Sequence, residues 1–261
     1  MKTIKQLGQH WLHDEQSLDA VADAVNVQRG THVLEVGPGL GTLTKRLLDR
    51  GAIVTAVEYD QRLFDELKKR FATAITNNQL ILVNEDILQF DLNTMDDSYV
   101  VAANIPYYLT SNLLRTLSEA GNPPQQISVL VQKEVAERVA AAPGDMSLLS
   151  VTTQMFYQPS LGLVVPARLF TPPPKVDSQI LILKKRPEPL FPGIDTKAFF
   201  RLVKAGFAER RKKLRSSLSG GLHIDKQASE DICSRAGIDS NLRAQALSLQ
   251  QWYDLYEAAR L

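Results

Sequence analysis

The stretch HVLEVGPGLG, residues 32–41, decides the fold of this chain. It starts as an apolar run typical of a buried strand and ends in three glycines at alternate positions, Gly37, Gly39 and Gly41. Glycine lets a backbone turn tightly and approach a ligand where any side chain would collide. Because a helical pattern follows at once, the stretch predicts a strand, a ligand-binding loop and a helix of an α/β fold.

Short aliphatic runs alternate with helical patterns along most of the chain. This alternation is the signature of β-α-β units around a parallel sheet. We predict strands at 32–36, 53–57, 80–83, 100–103 and 127–131. The predicted helices cover 15–25, 42–50, 61–73, 110–120, 133–141 and 147–156. Two extended runs, 162–166 and 178–183, are close enough in sequence to finish the sheet as antiparallel strands.

A proline-rich segment, RPEPLFPG at 186–193, divides the chain. Its prolines break both helix and strand, so we interpret it as a linker. Residues 1–185 then form a catalytic domain, and residues 186–261 form a second domain with predicted helices at 196–214, 225–235 and 249–259. The first part carries 17 Lys and Arg against 20 Asp and Glu, and the second carries 13 against 9. A mildly acidic domain is thus paired with a basic one.

Composition restricts the class of protein. No apolar run approaches the ~20 residues that span a bilayer, and residues 1–13 lack the apolar core of a secretory signal. We expect a soluble, cytoplasmic monomer with no membrane partner. The single cysteine, Cys233, excludes an intrachain disulfide, and the histidines show no metal-ligand spacing, so we expect no metal.

Acidic residues follow the second and third predicted strands. Glu58, 21 residues after Gly37, is placed to accept hydrogen bonds from ribose hydroxyls, and Asp86 is placed to meet an adenine amino group. The loop reads GPGLG rather than GxGxxG, and Glu35 lies two positions before its first glycine. This pattern favours S-adenosylmethionine over NAD, which the same architecture also binds. A plain tight turn with solvated acidic strand ends is the alternative.

The tetrapeptide Asn104-Ile105-Pro106-Tyr107 follows the fourth predicted strand, at the edge of the sheet where ligands bind in such folds. An adenine amino group is a poor nucleophile because its lone pair is delocalised into the ring. The Asn104 amide oxygen and a neighbouring backbone carbonyl, held by Pro106, can accept both amino hydrogens and restore that lone pair. Tyr107 can stack on the extruded base. A buried turn with Tyr107 and Tyr108 as core residues is the alternative.

Together these motifs resemble those of the ribosomal RNA adenine dimethyltransferase family, and within it the small-subunit type. The matching segments are GQHWL (8–12), EVGPGLGTLT (35–44), VEYD (57–60), EDIL (85–88), NIPYYLTS (104–111), FTPPPKVDS (170–178) and AGIDSNLRAQALSL (236–249). The resemblance implies a Rossmann-like class I methyltransferase with a seven-stranded, mostly parallel sheet and a small helical C-terminal domain. It also implies dimethylation of the N6 groups of two adjacent adenosines near the 3′ end of 16S rRNA, with the immature small ribosomal subunit as partner.

The resemblance also assigns roles by position. The implied cofactor contacts are His10, Leu12, Gly37, Glu58, Asp86 and Asn104. The implied aromatic walls of the base pocket are Tyr107 and Phe170. The first motif departs from the family pattern GQNFL, because His10 and Trp11 stand where Asn and Phe are usual. An imidazole still donates one hydrogen bond but differs in shape, and a merely packed or exposed histidine is the alternative.

Five cations lie close together in the second domain: Arg210, Arg211, Lys212, Lys213 and Arg215. The apolar residues around them, such as Phe207 and Leu214, would face a core. We therefore interpret the cations as one face of a helix that binds RNA phosphates. An ordinary solvated helix surface is the alternative.

Two other functions stay open at this point. One is a large-subunit (23S) rRNA adenine methyltransferase of the antibiotic-resistance type, which shares the Asn-Ile-Pro-Tyr motif; the segments 170–178 and 236–249 argue against it. The other is a non-catalytic ribosome-assembly or transcription factor that keeps the fold. The intact Asn104 and Asp86 argue against that second alternative.

Overall fold

The computed structural model describes residues 9–188 and 190–259. Gly8 of the first motif and Pro189 of the proline-rich segment lie outside the described residues. The chain divides into two compact units, one formed by residues up to 136 and by 158–185, the other by 137–157 and by the residues from 186 onward. Among the described residues, no helix has both the length and the apolarity that a membrane crossing requires.

Strands and helices alternate through the first part of the chain. In order they are β1 (Trp11–Leu12), α1 (Glu15–Asp23), β2 (His32–Val36), α2 (Thr42–Asp49), β3 (Ile53–Val57), α3 (Gln61–Arg70), α4 (Ala72–Thr76), β4 (Leu80–Val83), β5 (Val100–Asn104), α5 (Thr110–Glu119), β6 (Gln126–Gln132) and α6 (Lys133–Val139). They continue with α7 (Leu148–Gln154), β7 (Tyr157–Val165), β8 (Phe170–Thr171), β9 (Ser178–Lys185), α8 (Thr196–Phe207), α9 (Leu214–Leu222), α10 (Lys226–Arg235) and α11 (Leu249–Ala259).

Seven strands form one mixed sheet in the order β4-β3-β2-β5-β6-β9-β7. Neighbours from β4 to β6 are parallel, and β9 runs antiparallel to β6. The chain leaves β2 on one side to build β3 and β4, then returns to its other side to build β5. Such a reversal opens a crevice at the carboxyl ends of the two strands that flank it. The fold therefore predicts a ligand site beside the ends of β2 and β5.

The central strands are buried because helices cover the sheet. Val33 and Leu34 in β2 have no exposed surface, and the same holds for Val101 and Ala102 in β5. This continuous apolar pattern is typical of a parallel sheet packed on both faces. Each such fully buried aliphatic side chain contributes ~1.5–3 kcal/mol relative to an exposed one.

Most of the sequence-based expectations for this unit are confirmed. The predicted strands agree with β2 to β6 to within one residue at each end, and β9 is antiparallel as predicted. Strand β7 begins at Tyr157, five residues before the predicted start. The predicted helix over 61–73 is instead two helices, because Phe71 has a non-helical backbone (φ −109°, ψ 23°) that ends α3 and begins α4.

The second unit is a helical cluster around the fully buried Trp252 and Phe199. Segment 137–157 belongs to it, whereas the sequence placed that segment in the first domain. The physical reason is that Met146, Val151 and Met155 on and beside α7 are buried in the same apolar core as α8 and α11. The predicted boundary after residue 185 agrees with the division into units at that point.

The predicted long helix over 196–214 is wrong. Helix α8 ends at Phe207, residues 208–213 form a turn, and α9 begins at the buried Leu214. Helix α9 was not predicted because its sequence, LRSSLSGGL, is rich in serine and glycine, which have low helix propensity. The break matters for function because the basic segment falls in the turn and not on one helix face.

Helices α8 and α9 approach closely at glycine. A Cβ added to Gly221 on α9 would lie 2.5 Å from the Ala205 Cα on α8. Its neighbour Gly220 has a different environment, since a Cβ there would meet only the Glu209 Oε1 at 3.8 Å, an ordinary contact. Only Gly221 is therefore needed for the packing of the two helices.

Exchange of these two adjacent glycines for alanine should have opposite effects on stability. Gly221→Ala should lower the free energy of unfolding by ~1–3 kcal/mol because the added methyl overpacks the interface with α8. Gly220→Ala, the matched control, should leave it unchanged or raise it by up to ~1 kcal/mol because alanine favours a helix over glycine. Urea denaturation of both variants checks this, and equal destabilisation would contradict the α8–α9 packing described here.

Candidate functional site

One cavity of about 350 Å³ lies in the first unit at the carboxyl ends of the central strands. That volume is typical of a site for a small ligand or cofactor. The cavity is lined by residues from six regions of the chain, 9–12, 35–43, 57–63, 85–88, 104–109 and Phe170, together with Leu18 and Asn112. These regions include every residue for which a cofactor or base contact was predicted.

The glycine-rich loop forms the floor of the cavity and joins β2 to α2. Gly37 and Gly39 have positive φ angles, +64° and +59°, which disfavour residues with a side chain. A Cβ on Gly37 would meet no atom within 4 Å, whereas a Cβ on Gly39 would lie 2.6 Å from the Trp11 ring. Gly37 therefore leaves open space beside the loop, and Gly39 makes room for the indole of Trp11.

Glu58, at the end of β3, holds the glycine-rich loop. Its Oε2 accepts a hydrogen bond from the Gly39 N–H at 3.0 Å, and its Oε1 accepts one from the Asp60 N–H at 2.8 Å. Burial raises the pKa of Glu58, and those two N–H groups partly offset the rise. Each carboxylate oxygen can accept a further hydrogen bond, so the predicted role toward ribose hydroxyls is compatible with this geometry.

Glu35 is a second carboxyl that lines the cavity, and it is 1% exposed. Burial raises its pKa to about 8, and the nearby Glu58 carboxylate acts in the same direction. Thr44, at the start of α2, opposes the rise through its hydroxyl and its backbone N–H. Sequence reasoning used Glu35 as a marker of the loop but gave it no role.

Asp86 follows β4 and also faces the cavity. Its Oδ1 accepts a hydrogen bond from the Leu88 N–H at 3.0 Å, which shapes the turn. Two tyrosines to which the sequence analysis gave no role in the site, Tyr59 and Tyr108, line the cavity and are 66% and 63% exposed. Each directly follows a predicted site residue, which is the only sequence signal that could have identified it.

Asn104 and Tyr107 lie together at the carboxyl end of β5. Asn104 is the last residue of the strand and is half-buried, and Tyr107 begins a short 3₁₀ turn. The Tyr107 hydroxyl and the Ser178 Oγ are hydrogen-bonded at 2.7 Å. Burial raises the pKa of Tyr107, with a smaller opposing effect from Ser178. The position of the Tyr107 ring is therefore held by a residue of β9 as well as by the 3₁₀ turn that contains it.

His10 joins two walls of the cavity. Its Nδ1 donates a hydrogen bond to the Pro172 carbonyl oxygen at 2.7 Å, since a carbonyl can only accept. Its ring stacks on that of Tyr107, with a centroid distance of 6.0 Å and an interplanar angle of 24°. The histidine that departs from the family pattern is thus neither fully exposed nor part of the core, and it contacts Tyr107 of the loop 104–107.

The rest of the N-terminal segment is also attached to the cavity. Strands β1 and β8 pair antiparallel, with Trp11 opposite Thr171 and Leu12 opposite Phe170. The Thr42 hydroxyl donates to the Leu12 carbonyl at 3.1 Å. Phe170 is only 3% exposed and belongs to the apolar core while it lines the cavity.

The basic segment lies in the second unit, in the turn between α8 and α9. Arg210, Arg211 and Lys212 are exposed and form no ion pair among the described residues. Lys213 donates to the Asn241 Oδ1 at 2.9 Å, and Arg215 forms an ion pair with Glu230 at 2.6 Å. The predicted group of five cations is therefore three solvated cations on a turn and two that have partners within the unit.

Comparison with known proteins agrees with these features. Residues 1–260 match the family described as ribosomal RNA adenine dimethylase. The chain is similar to the ribosomal RNA small subunit methyltransferase A of Dehalococcoides mccartyi strain CBDB1, with 40% identity over 258 residues that cover 98% of this chain and 88% of the relative. The protein of the same name from Alkaliphilus oremlandii is 36% identical over 260 residues, with coverage of 96% and 90%.

Solved structures give the same picture. The crystal structure of the 23S rRNA methyltransferase ErmE is similar with a TM-score of 0.74 and 27% identity, covering 96% of this chain and 100% of that one. A dimethyladenosine transferase from Plasmodium falciparum is similar with a TM-score of 0.76 and 25% identity, covering 94% and 96%.

The contact between Trp11 and the glycine-rich loop can be tested directly. Gly39→Ala should displace the Trp11 indole, because the new methyl would overlap the ring, and the fluorescence emission should shift to longer wavelength. Gly37→Ala is the matched control: it carries a similar backbone strain of ~1–2 kcal/mol but meets no side chain, so its emission should match the wild type. Identical spectra for all three proteins would contradict the position of Trp11 on the loop.

Proposed function

Because the chain belongs to the ribosomal RNA adenine dimethylase family, we propose that it dimethylates the N6 amino groups of two adjacent adenosines near the 3′ end of 16S rRNA, with S-adenosylmethionine as methyl donor. The observation that carries this proposal is the meeting of two motifs in one cavity. The loop 104–107 opens into the same space as Gly37, Glu58 and Asp86. One cavity can thus receive both a methyl donor and a purine.

The residues of the cavity fit the cofactor. Open space beside Gly37 leaves room for a ligand against the loop. Glu58 is fixed by two backbone N–H groups, with lone pairs left for ribose hydroxyls, and the second oxygen of Asp86 accepts no hydrogen bond from the described residues. His10 and Leu12 close the cavity from the N-terminal segment, so all six predicted cofactor contacts face one space. When bound, S-adenosylmethionine supplies an electrophilic methyl group on a positively charged sulfur.

Asn104 makes the target nitrogen nucleophilic. Its amide oxygen lies at the end of β5, where the backbone is fixed by pairing with Leu130. An amide oxygen in this place accepts a hydrogen bond from the adenine amino group and shifts electron density back onto the nitrogen. Because the acceptor is held by a strand, it needs little reorganisation during the reaction. Positioning and hydrogen bonding carry the step, without a covalent intermediate on the protein.

Tyr107 and Phe170 hold the base. Tyr107 is anchored at its hydroxyl by Ser178, which leaves the ring face to stack on an extruded purine at ~1–3 kcal/mol per base. Phe170 is held by pairing with Leu12, so the second wall is attached to the N-terminal segment. His10 stacks against Tyr107 and supports it at the side.

The small-subunit substrate is favoured over the large-subunit one. The curated relatives with 36–40% identity are named small subunit methyltransferases, whereas the similarity to ErmE, a 23S enzyme, is 27%. The intact Asn104 and Asp86 argue for an active enzyme over a purely structural assembly factor. We infer further that it acts in the cytoplasm, as a monomer, during small-subunit biogenesis.

Incubation with ribosomal subunits tests the proposal. The protein, labelled S-adenosylmethionine and unmethylated small subunits should yield dimethyladenosine at two adjacent positions, read by mass spectrometry of RNA fragments. Unmethylated large subunits serve as the matched substrate control and should stay unlabelled. Label in 23S rRNA alone would overturn the substrate assignment, and no transfer to either RNA would overturn the catalytic one.

Asn104→Ala should lower kcat at least about 100-fold, because the adenine amino group loses its fixed acceptor. Cofactor affinity, measured by calorimetry, should change far less. Asn104→Asp keeps an acceptor oxygen at the same place and should retain more activity than the alanine variant. If both variants methylate 16S rRNA at the wild-type rate, Asn104 does not have this role.

Substitution of Arg210, Arg211 and Lys212 by alanine should weaken binding to the small subunit. Each cation on a phosphate contributes about 0.7–0.9 to the slope of log affinity against log salt, so the triple variant should flatten that slope by about 2–3. Filter binding at several salt concentrations measures it.

A charge-matched control is available in the same unit. Lys197, Lys226 and Arg235 are exposed cations on α8 and α10. Their replacement by alanine removes the same net charge but should leave the salt slope almost unchanged. Equal effects of the two triple variants would mean that the turn at 208–213 is not the RNA contact.

A further inference from the structure

Three buried carboxyl groups line the cavity, and two of them, unlike Asp60 with its partner Arg62, have no cation to balance them among the described residues. Glu35 and Glu58 are 1% and 6% exposed, and both line the cavity. Neither forms an ion pair with a lysine, arginine or histidine among residues 9–188 and 190–259. Burial of charge without a partner is costly, so such a pair is stable only if a proton or a ligand reduces the charge.

The two carboxyls differ in their hydrogen bonds. Both oxygens of Glu58 accept backbone N–H groups, from Gly39 and from Asp60, which stabilises the ionised form. The Oε2 of Glu35, in contrast, is buried and has no hydrogen-bond partner in the part of the chain that the structure describes. Of the two groups, Glu35 is therefore the one that is better accommodated as the neutral acid.

The surroundings of Glu35 agree with this difference. The charged group that acts on it among the described residues is Glu58, a like charge from the end of β3. From α2 it meets only the hydroxyl and the backbone N–H of Thr44. Burial is the largest influence and raises the pKa of Glu35 to about 8.

We propose that Glu35 carries a proton in the ligand-free protein and releases it to solvent when a cationic ligand enters the cavity. This inference rests on the proposed function, which supplies that ligand: S-adenosylmethionine carries a sulfonium and an ammonium group. On binding, the O–H bond of the Glu35 carboxyl breaks, the proton passes to the buffer, and the carboxylate balances the positive charge of the ligand. Glu35 thereby acts as a positioning residue that selects a cationic cofactor.

A definite pH dependence follows. Below a pH of about 8 the ligand-free protein holds the proton, and binding must displace it. Affinity for the cofactor should therefore rise with pH, by up to about tenfold per unit while one full proton is released, and level off above a pH of about 8.

Calorimetry measures the released proton. S-adenosylmethionine is titrated into the full chain at neutral pH, in buffers with different enthalpies of ionisation. The wild type should release close to one proton more than Glu35→Gln, which mimics the neutral acid. The cofactor's own amino group titrates equally in both experiments, so the difference isolates Glu35. The uncharged 5′-methylthioadenosine should displace no proton from either protein.

Control variants distinguish a failure of the role proposed for Glu35 from a failure of the proposed function. Glu66→Gln removes an exposed carboxyl on α3 and should release protons as the wild type does. Equal proton release by wild type and Glu35→Gln would overturn the proposal. If the wild type does not bind S-adenosylmethionine at all, the proposed function fails as well, whereas binding without this difference removes only the role of Glu35.

A measurement on the wild type alone covers the case in which Glu35→Gln does not fold. Infrared difference spectra should lose the carbonyl stretch of one protonated carboxyl when S-adenosylmethionine is added. A protonated carboxyl band that persists in the complex would overturn the proposal.

Discussion

After strand β2, the chain adds β3 and β4 on one side of β2 and then β5 on the other side. The site depends on this reversal of direction. It separates the loops after β2 and β5 and opens a crevice between them. The glycine-rich loop after β2 and the loop at 104–107 after β5 therefore face each other across one cavity. Neither motif can act alone, because methyl transfer needs the donor and the acceptor in contact.

Within that crevice, a small number of long-range contacts determine the shape. Glu58 fixes the glycine-rich loop through the Gly39 N–H, and the Trp11 ring packs against the same glycine. The N-terminal segment that carries Trp11 also pairs with β8 and carries His10, which contacts Tyr107. The glycine-rich loop and the loop that carries Tyr107 are thus linked through one short stretch of chain.

The sequence was informative where the signal is local. Strands β2 to β6 are continuous apolar runs, so their bounds were predicted closely, and Glu58, Asp86 and Asn104 were predicted as site residues because each comes shortly after a predicted strand. The break between α8 and α9 was missed because an apolar periodicity continues across the turn, and the membership of α7 in the second unit depends on packing far along the chain. The contact of Tyr107 with Ser178 joins residues 71 positions apart, and that of His10 with Pro172 joins residues 162 apart. No periodicity or spacing can reveal such contacts.

The charges and hydrogen bonds of the glycine-rich loop also bear on which of two cofactors, S-adenosylmethionine or NAD, suits this site. A dinucleotide places its diphosphate against the free N–H groups of the glycine-rich loop and the N-terminus of the following helix. Here the Gly39 N–H is already donated to Glu58, and the first turn of α2 faces Glu35 through Thr44. One N–H group that would bind an anion is therefore already occupied by Glu58, whose ionised carboxylate would also repel a diphosphate. A positively charged ligand needs no free N–H group and is attracted by a carboxylate, so this contact favours a sulfonium cofactor over a dinucleotide.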